Sequence, residues 1–226
     1  SYRKLGPLRA GLDVPVMALT ATATPRVRDE IVRELRLQAP AEVTLSFDRP
    51  NLGWGVMEIP RGMSRTELHR QIVRRRPGAR MVYAATRKRV EAIRNGLRRG
   101  GLEAEAYHAG LPTAERDRVL EWFLSHPAPV VVATNAFGMG IDRPDVRMVV
   151  HDQLSGSLED YYQEAGRAGR DGRPADCILL YGPQDPSTHS YMLECAAREQ
   201  EGQGEEIRER DRIRLKQMVW YCHTRE

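Results

Sequence analysis

The apolar positions of this chain fall into short runs, separated by stretches in which they recur at helical spacing. Pro129-Val-Val-Val-Ala133 is the clearest run and predicts a strand buried on both faces. Met81 to Ala85, Arg147 to His151 and Asp176 to Tyr181 predict strands of the same kind, and Glu103 to His108 a less apolar one. Helical patterns lie between them. Thr86 caps a helix with Val90, Ile93 and Leu97 on one face, which Gly100-Gly101 ends. Thr113 starts another, carrying Val119, Leu120, Phe123 and Leu124. Ser157 is a third N-cap, with Asp160 as its capping-box acid.

Nearer the start, Val14-Pro-Val-Met-Ala-Leu19 is fit for a buried strand. Thr24 then caps a helix with Pro25 at its first position and Val27, Ile31, Val32 and Leu35 along it. A final helix, 206–223, places Leu215, Met218, Val219 and Cys222 on one stripe, which needs a partner expected beyond Glu226. Residues 46–62 punctuate the chain with Pro50 and Pro60-Arg-Gly62 and predict a connector. From 63 to 184 strands and helices alternate, which implies a parallel α/β sheet with helices on both faces. Gly182 to Gly204 reads as a mobile stretch.

Composition adds little to this outline. The charge is +4, which permits a nucleic-acid partner without demanding one. Three cysteines, Cys177, Cys195 and Cys222, stand far apart, so neither a disulfide framework nor a complete zinc site is expected. No apolar stretch is long enough to span a membrane, and no membrane partner is expected. The chain starts at Ser1 without a methionine and reads as a piece of a longer protein.

Candidate chemistry concentrates in Gln163-Glu-Ala-Gly-Arg-Ala-Gly-Arg-Asp-Gly172. Guanidinium is planar, permanently charged and grips phosphate oxygens two at a time. If the helix behind Ser157 runs on, Gln163, Arg167 and Arg170 share one face at i, i+4 and i+7. Weak surface salt bridges with Glu159, Glu164 or Asp171 are the ordinary alternative. Thr134 and Asn135 follow the best strand, where ligands of open α/β sheets bind. Gly138-Met-Gly140 removes bulk beside them, and Asp142 suits a ribose hydroxyl, although an ordinary tight turn also explains the glycines. Thr86 and Arg87 suit a phosphodiester backbone, or Thr86 is simply a cap. His108 follows a strand without a nucleophile–base set around it. The chain contains neither a G-x-x-x-x-G-K-[ST] phosphate loop nor a strand-end Asp-Glu pair for magnesium, so it is not expected to hydrolyse ATP unaided.

These residues together resemble the RecQ family of ATP-dependent DNA helicases. Met17-Ala-Leu-Thr-Ala-Thr22 is similar to helicase motif III, and Phe47-Asp-Arg-Pro-Asn51 to the family's interdomain segment. Met81 to Arg87 resembles motif IV, Tyr107-His-Ala-Gly-Leu111 the family's Y-H-A-G-L, Thr134 to Pro144 motif V and Tyr161 to Gly172 motif VI. The Y-Y-Q-E form of the last favours RecQ over RNA helicase lobes, which usually carry H-R-x-G-R.

The resemblance implies a RecA-like fold: the end of a first lobe over 1–45, a linker over 46–62, a second lobe over 63–184 and the start of a helical zinc-binding region over 185–226. It implies Arg170 as arginine finger, Arg167 as a second γ-phosphate or interdomain contact and Gln163 as a sensor of nucleotide state. Asp142, with Gly140, would touch the nucleotide. Thr86, Arg87, His108, Thr134 and Asn135 would line a single-stranded DNA track. ATP and Mg²⁺ would be bound mainly by the first lobe. Zn²⁺ belongs to the family pattern, whose Y-C-x-x-x-x-C-R-R is met here only by Tyr221-Cys222, so Cys222 is expected in the core with no metal. DNA single strands, duplex junctions and the first lobe are the implied partners, in a bacterial cytoplasm or a nucleus. A nucleic-acid-binding module without activity and an RNA helicase lobe are the alternatives.

Overall fold

The structure is a computed structural model that describes residues 5, 14–20, 25–44, 46, 48–138, 141–182, 184–187, 190 and 205–224. Two units divide at Asp48/Arg49. In the first, helix α1 spans Pro25–Glu34 with Pro25 as its first residue, and Leu35 behind it is buried. Thr24, its expected cap, lies outside the described residues. Arg28 ties α1 to the following segment through Thr44 Oγ1 at 3.1 Å. The strand expected at 14–19 is absent: residues 15–20 carry no regular structure, and Met17 and Leu19 are 80% and 85% exposed. A strand needs a ladder partner and a covered face, and no described segment supplies either.

The second unit is a six-stranded sheet. In chain order it consists of β1 (Leu52–Glu58), α2 (Arg65–Val73), β2 (Ala79–Tyr83), α3 (Arg87–Arg99), β3 (Ala104–Tyr107), α4 (Thr113–Ser125), β4 (Val130–Ala133), β5 (Val146–His151), α5 (Leu158–Ala165), β6 (Ala175–Tyr181) and α6 (Glu205–His223). The strand order is β1-β6-β5-β2-β4-β3, and every pairing is parallel. β1 lies inside the segment expected as a connector. It pairs with β6 from Leu52↔Ala175 to Glu58↔Tyr181 and forms an edge of the sheet.

Alternate residues of the strands point to opposite faces, and each face has its own core. Val82, Val130, Val132, Met148 and Val150 pack under α2 and α3 through Ile72, Val90, Ile93 and Leu97. Met81, Val131, Val149, Cys177 and Leu179 face α4, α5 and α6 through Val119, Phe123, Tyr161, Ala165, Leu215 and Met218. The apolar stripe of α6 therefore finds its partner within the chain, where Leu215 and Met218 close over the sheet. Leu124, one of the apolar residues carried by α4, is 47% exposed; it follows Phe123 by one residue, about 100° around the helix.

Caps fix the helix starts. Ser64, Thr86 and Ser157 each accept a hydrogen bond from the backbone N–H three residues on. A buried carboxylate holds the α2–α3 layer to the sheet. Asp152, just past β5, takes a bidentate pair from Arg89 at 2.7 Å and contacts His69 Nε2 at 2.8 Å.

Candidate nucleotide and nucleic-acid site

Neighbouring strands β2 and β4 send the chain to opposite faces of the sheet. α3 follows β2 onto one core, and the residues after β4, beginning with Phe137, pack into the other. Such a divergence opens a crevice at the carboxyl ends of the strands. Thr86 and Arg87 lie beyond the end of β2, Thr134 and Asn135 beyond β4, and His108 beyond β3, on three adjacent strands. Ala84 N donates to Ala133 O at 2.9 Å and Thr134 N to Tyr107 O at 3.2 Å, which keeps the three ends level. Thr86, Arg87 and Asn135 are exposed, while Thr134 is half-buried. Thr86 Oγ1 accepts from Arg89 N, so the hydroxyl caps α3. His108 is buried, and its Nε2 meets Glu91 Oε1 at 3.2 Å. Arg87 lies beside it: a Cβ on Gly110 would come within 3.0 Å of Arg87 Nη1 and 3.2 Å of His108 Nδ1.

Between β4 and β5 the described residues of the connection, 134–138 and 141–145, carry no helix. Phe137 anchors it, with ring centroids 4.6 Å from Tyr107 and 5.3 Å from Phe123. Arg143 fastens its far end, pairing with Asp145 at 2.7 Å and donating to His126 O at 2.9 Å. Three side chains hold carbonyls along the crossover. Tyr83 Oη donates to Phe137 O at 2.8 Å, Arg167 Nη1 to Gly138 O, and Arg170 Nη1 to Ile141 O at 3.2 Å. Burial pushes the Tyr83 hydroxyl far above its ordinary range, so it remains a donor at neutral pH. A Cβ on Gly138 would stand 2.7 Å from the centre of the Arg167 guanidinium, so a side chain there would displace that guanidinium. Gly140 lies outside the described residues.

The shared helix face expected for Gln163, Arg167 and Arg170 does not exist, because α5 ends at Ala165 with Gly166 as its C-cap. A Cβ at Gly166 would sit 2.8 Å from Tyr162 O, and Gly169 has φ +55. The two arginines project instead from an irregular turn over 166–172. Gly169 N donates to Val146 O at 2.9 Å and Asp171 N to Pro144 O at 3.2 Å, which seat the turn beside the start of β5. Arg147 grips Asp171 with both contacts at 2.6 Å and holds its carboxyl below the usual range. The alternative of surface pairs with Glu159, Glu164 or Asp171 is not what Arg170 makes: its partner is Asp142, whose Oδ1 lies 3.0 Å from Arg170 Nη1. Asp142 is 90% exposed and the Arg170 side chain 38%. Gln163 is exposed on α5.

Arg167 and Arg170 are the side chains here whose chemistry could take a phosphate. Among the described residues Arg170 bonds Ile141 and Asp142 through Nη1, and Nε of Arg167 is buried without a hydrogen-bond partner. Among the described residues no cluster of three His, Cys, Asp or Glu could hold a metal ion. Burial pushes the thiols of Cys177 and Cys222 up to about 12. Cys222 is half-buried against the sheet core, and Cys195 lies outside the described residues. Among the described residues no helix is long and apolar enough to cross a membrane.

Sequence reasoning missed α2, although Ser64-Arg-Thr-Glu67 ahead of Leu68, Ile72 and Val73 is a capping-box signal. It placed Arg49 and Asn51 in an interdomain motif but missed their contacts with the arginine turn.

The fold and this site define a helicase lobe: the helicase conserved C-terminal domain matches residues 64–172. The chain is 42% identical to the ATP-dependent DNA helicase RecQ of Bacillus subtilis over 229 residues, covering 100% of this chain and 37% of that protein. It is 44% identical to RecQ of Pasteurella multocida, covering 85% of this chain and 30% of that protein. The ATP-dependent DNA helicase hus2/rqh1 of Schizosaccharomyces pombe is 40% identical, with 99% of this chain and 17% of that protein covered. The chain belongs to the RecQ family of helicases and spans 37% or less of the length of these relatives.

Solved structures agree in fold alone. Saccharomyces cerevisiae Dbp5, bound to Gle1 and IP6, has a TM-score of 0.65 at 21% identity, covering 94% of this chain and 57% of that one. A DEAD box protein from Methanococcus jannaschii has a TM-score of 0.57 at 20% identity, covering 76% of this chain and 47% of that one.

Proposed function

We propose that this chain is part of an ATP-dependent DNA helicase moving 3′ to 5′ along a single strand, and that its sheet domain, which includes β1 besides the expected 63–184, is the second RecA-like lobe. A first lobe, to which 1–45 contribute, holds ATP and Mg²⁺. This lobe closes against the triphosphate, inserts Arg170 beside the γ-phosphate and places Arg167 as a second cation. Gln163 reports nucleotide state, and Asp142 with Gly140 meets the ribose side. Thr86, Arg87, His108, Thr134 and Asn135 face the DNA strand, mainly its phosphates. Single strands and duplex junctions are the substrates, in a bacterial cytoplasm or a nucleus. Residues 185–226 lead toward the family's zinc-binding region, and Zn²⁺ is held outside this chain, which is inactive alone.

One observation carries the reading: Arg170 is exposed and committed through a single nitrogen to an exposed carboxylate. Such a pair is weak and screened by solvent, so a triphosphate displaces it. Release of Asp142 in the same step frees it for the ribose. Arg170→Ala in the complete protein is expected to lower DNA-stimulated ATP hydrolysis by about 10³–10⁵-fold while DNA affinity falls little. Near-normal hydrolysis in a steady-state assay overturns the assignment.

A further inference from the structure

Arg49 is half-buried and spends its terminal nitrogens on the arginine turn. Nη1 donates to Gly166 O at 3.4 Å, and Nη2 to Ala168 O at 3.1 Å and Gly169 O at 2.9 Å. Asn51 Nδ2 adds Gly169 O at 2.8 Å and Arg173 O at 3.0 Å. A Cβ on Gly169 would come within 2.5 Å of Asn51 Nδ2. The choice of acceptors is informative. The Gly166 carbonyl belongs to the peptide joined to Arg167, and the Gly169 carbonyl to the peptide joined to Arg170. Each arginine is thus held by the peptide plane from which its side chain springs. A long side chain is a lever, and tilting its base by about 10–20° already exceeds the tolerance of a productive site.

We infer that Arg49 and Asn51 are positioning residues that aim Arg167 and Arg170, and through them set the rate of nucleotide hydrolysis. The inference rests on the reading of Arg170 as the finger. A turn needing only solubility would satisfy its carbonyls with water. Here five contacts from two side chains, more than a hundred residues away in sequence, converge on three carbonyls of one short turn and on Arg173 O just behind it.

The test uses the complete ATP-hydrolysing protein, with Arg49→Ala, Arg49→Lys, Asn51→Ala and Arg170→Ala compared under saturating single-stranded DNA. Arg49→Ala is expected to lower kcat by about 10–100-fold, the scale of an ångström-size misplacement. KM for ATP should change by less than about threefold, as for an interaction realised in the transition state. Arg49→Lys should recover part of the rate, because one ammonium reaches some of these acceptors but cannot fork across them. Affinity for ADP–aluminium fluoride, which mimics the transferring phosphoryl group, should fall with kcat while affinity for ADP holds. Should Arg49→Ala not fold, Arg49→Lys and Asn51→Ala carry the same comparison. Normal kcat and normal ADP–aluminium fluoride binding in the Arg49 and Asn51 variants, with Arg170→Ala inactive, overturn this inference alone. Normal turnover in Arg170→Ala overturns the finger reading itself.

Discussion

Asp152 receives two hydrogen bonds from Arg89 and one contact from His69, and its main-chain carbonyl accepts from Arg65. Burial alone would raise its carboxyl, but the Arg89 and then the His69 hydrogen bonds outweigh burial and hold it far below the ordinary range. A carboxyl depressed on folding adds stability that is fully present above its unfolded value, about pH 4. That stability drains away as pH falls through the folded value. Asp152→Asn is therefore expected to destabilise the chain by about 3 kcal/mol at pH 7, since it strands a buried partner. Urea unfolding should also show a shallower loss of stability below about pH 4 in the variant than in the wild type. None of this was legible in the sequence, where His69, Arg89 and Asp152 lie far apart. The same holds for Arg49. Its Phe-Asp-Arg-Pro-Asn setting was legible as a motif, but a side chain that bonds distant carbonyls leaves no local pattern.

Helices and strands were legible where composition and caps agree. Val130–Ala133 is apolar throughout because both of its faces are covered. Thr86 and Ser157 start helices because their hydroxyls take a free N–H. In sequence β1 reads only as mixed strand-like residues within a connector, because Leu-Gly-Trp-Gly-Val-Met-Glu has two glycines and the uneven burial of an edge strand. The stop of α5 was open to reading, since glycine commonly ends a helix; the i, i+4, i+7 spacing of Gln163, Arg167 and Arg170 instead suggests a helix running past Gly166, where a Cβ would sit 2.8 Å from Tyr162 O. The partner of α6 was misplaced for another reason: a stripe states that a face must be covered, not by what. In the structure Met218 is fully buried against the sheet core, and Tyr221 meets Tyr161 at 5.6 Å. Met218→Ala is expected to cost about 2–5 kcal/mol, read as a lower melting temperature. Little loss would mean that α6 contributes nothing to the core.

At the scale of the whole chain, the arginine turn and the strand ends beyond β2, β4 and β3 form two sets of candidate residues on one sheet. The proposed roles separate them experimentally. Arg87→Ala should weaken single-stranded DNA binding by the complete protein uniformly across sequences. It should also flatten the plot of log affinity against log salt by about 0.7. An unchanged slope in a filter-binding titration would remove Arg87 from the strand's path. The sheet domain was legible in outline, since apolar strands alternating with capped helices leave few architectures open. Its edge has a further consequence for biogenesis. The ladder between Leu52–Glu58 and Ala175–Tyr181 joins the first strand of the domain to its last. A nascent chain leaving the ribosome must carry that first strand unpaired until nearly the entire domain has emerged. During synthesis, closure of the sheet, and with it the grip of Arg49 on the turn, must therefore wait for the last strand, and it carries the loop-closure cost of a long-range pairing.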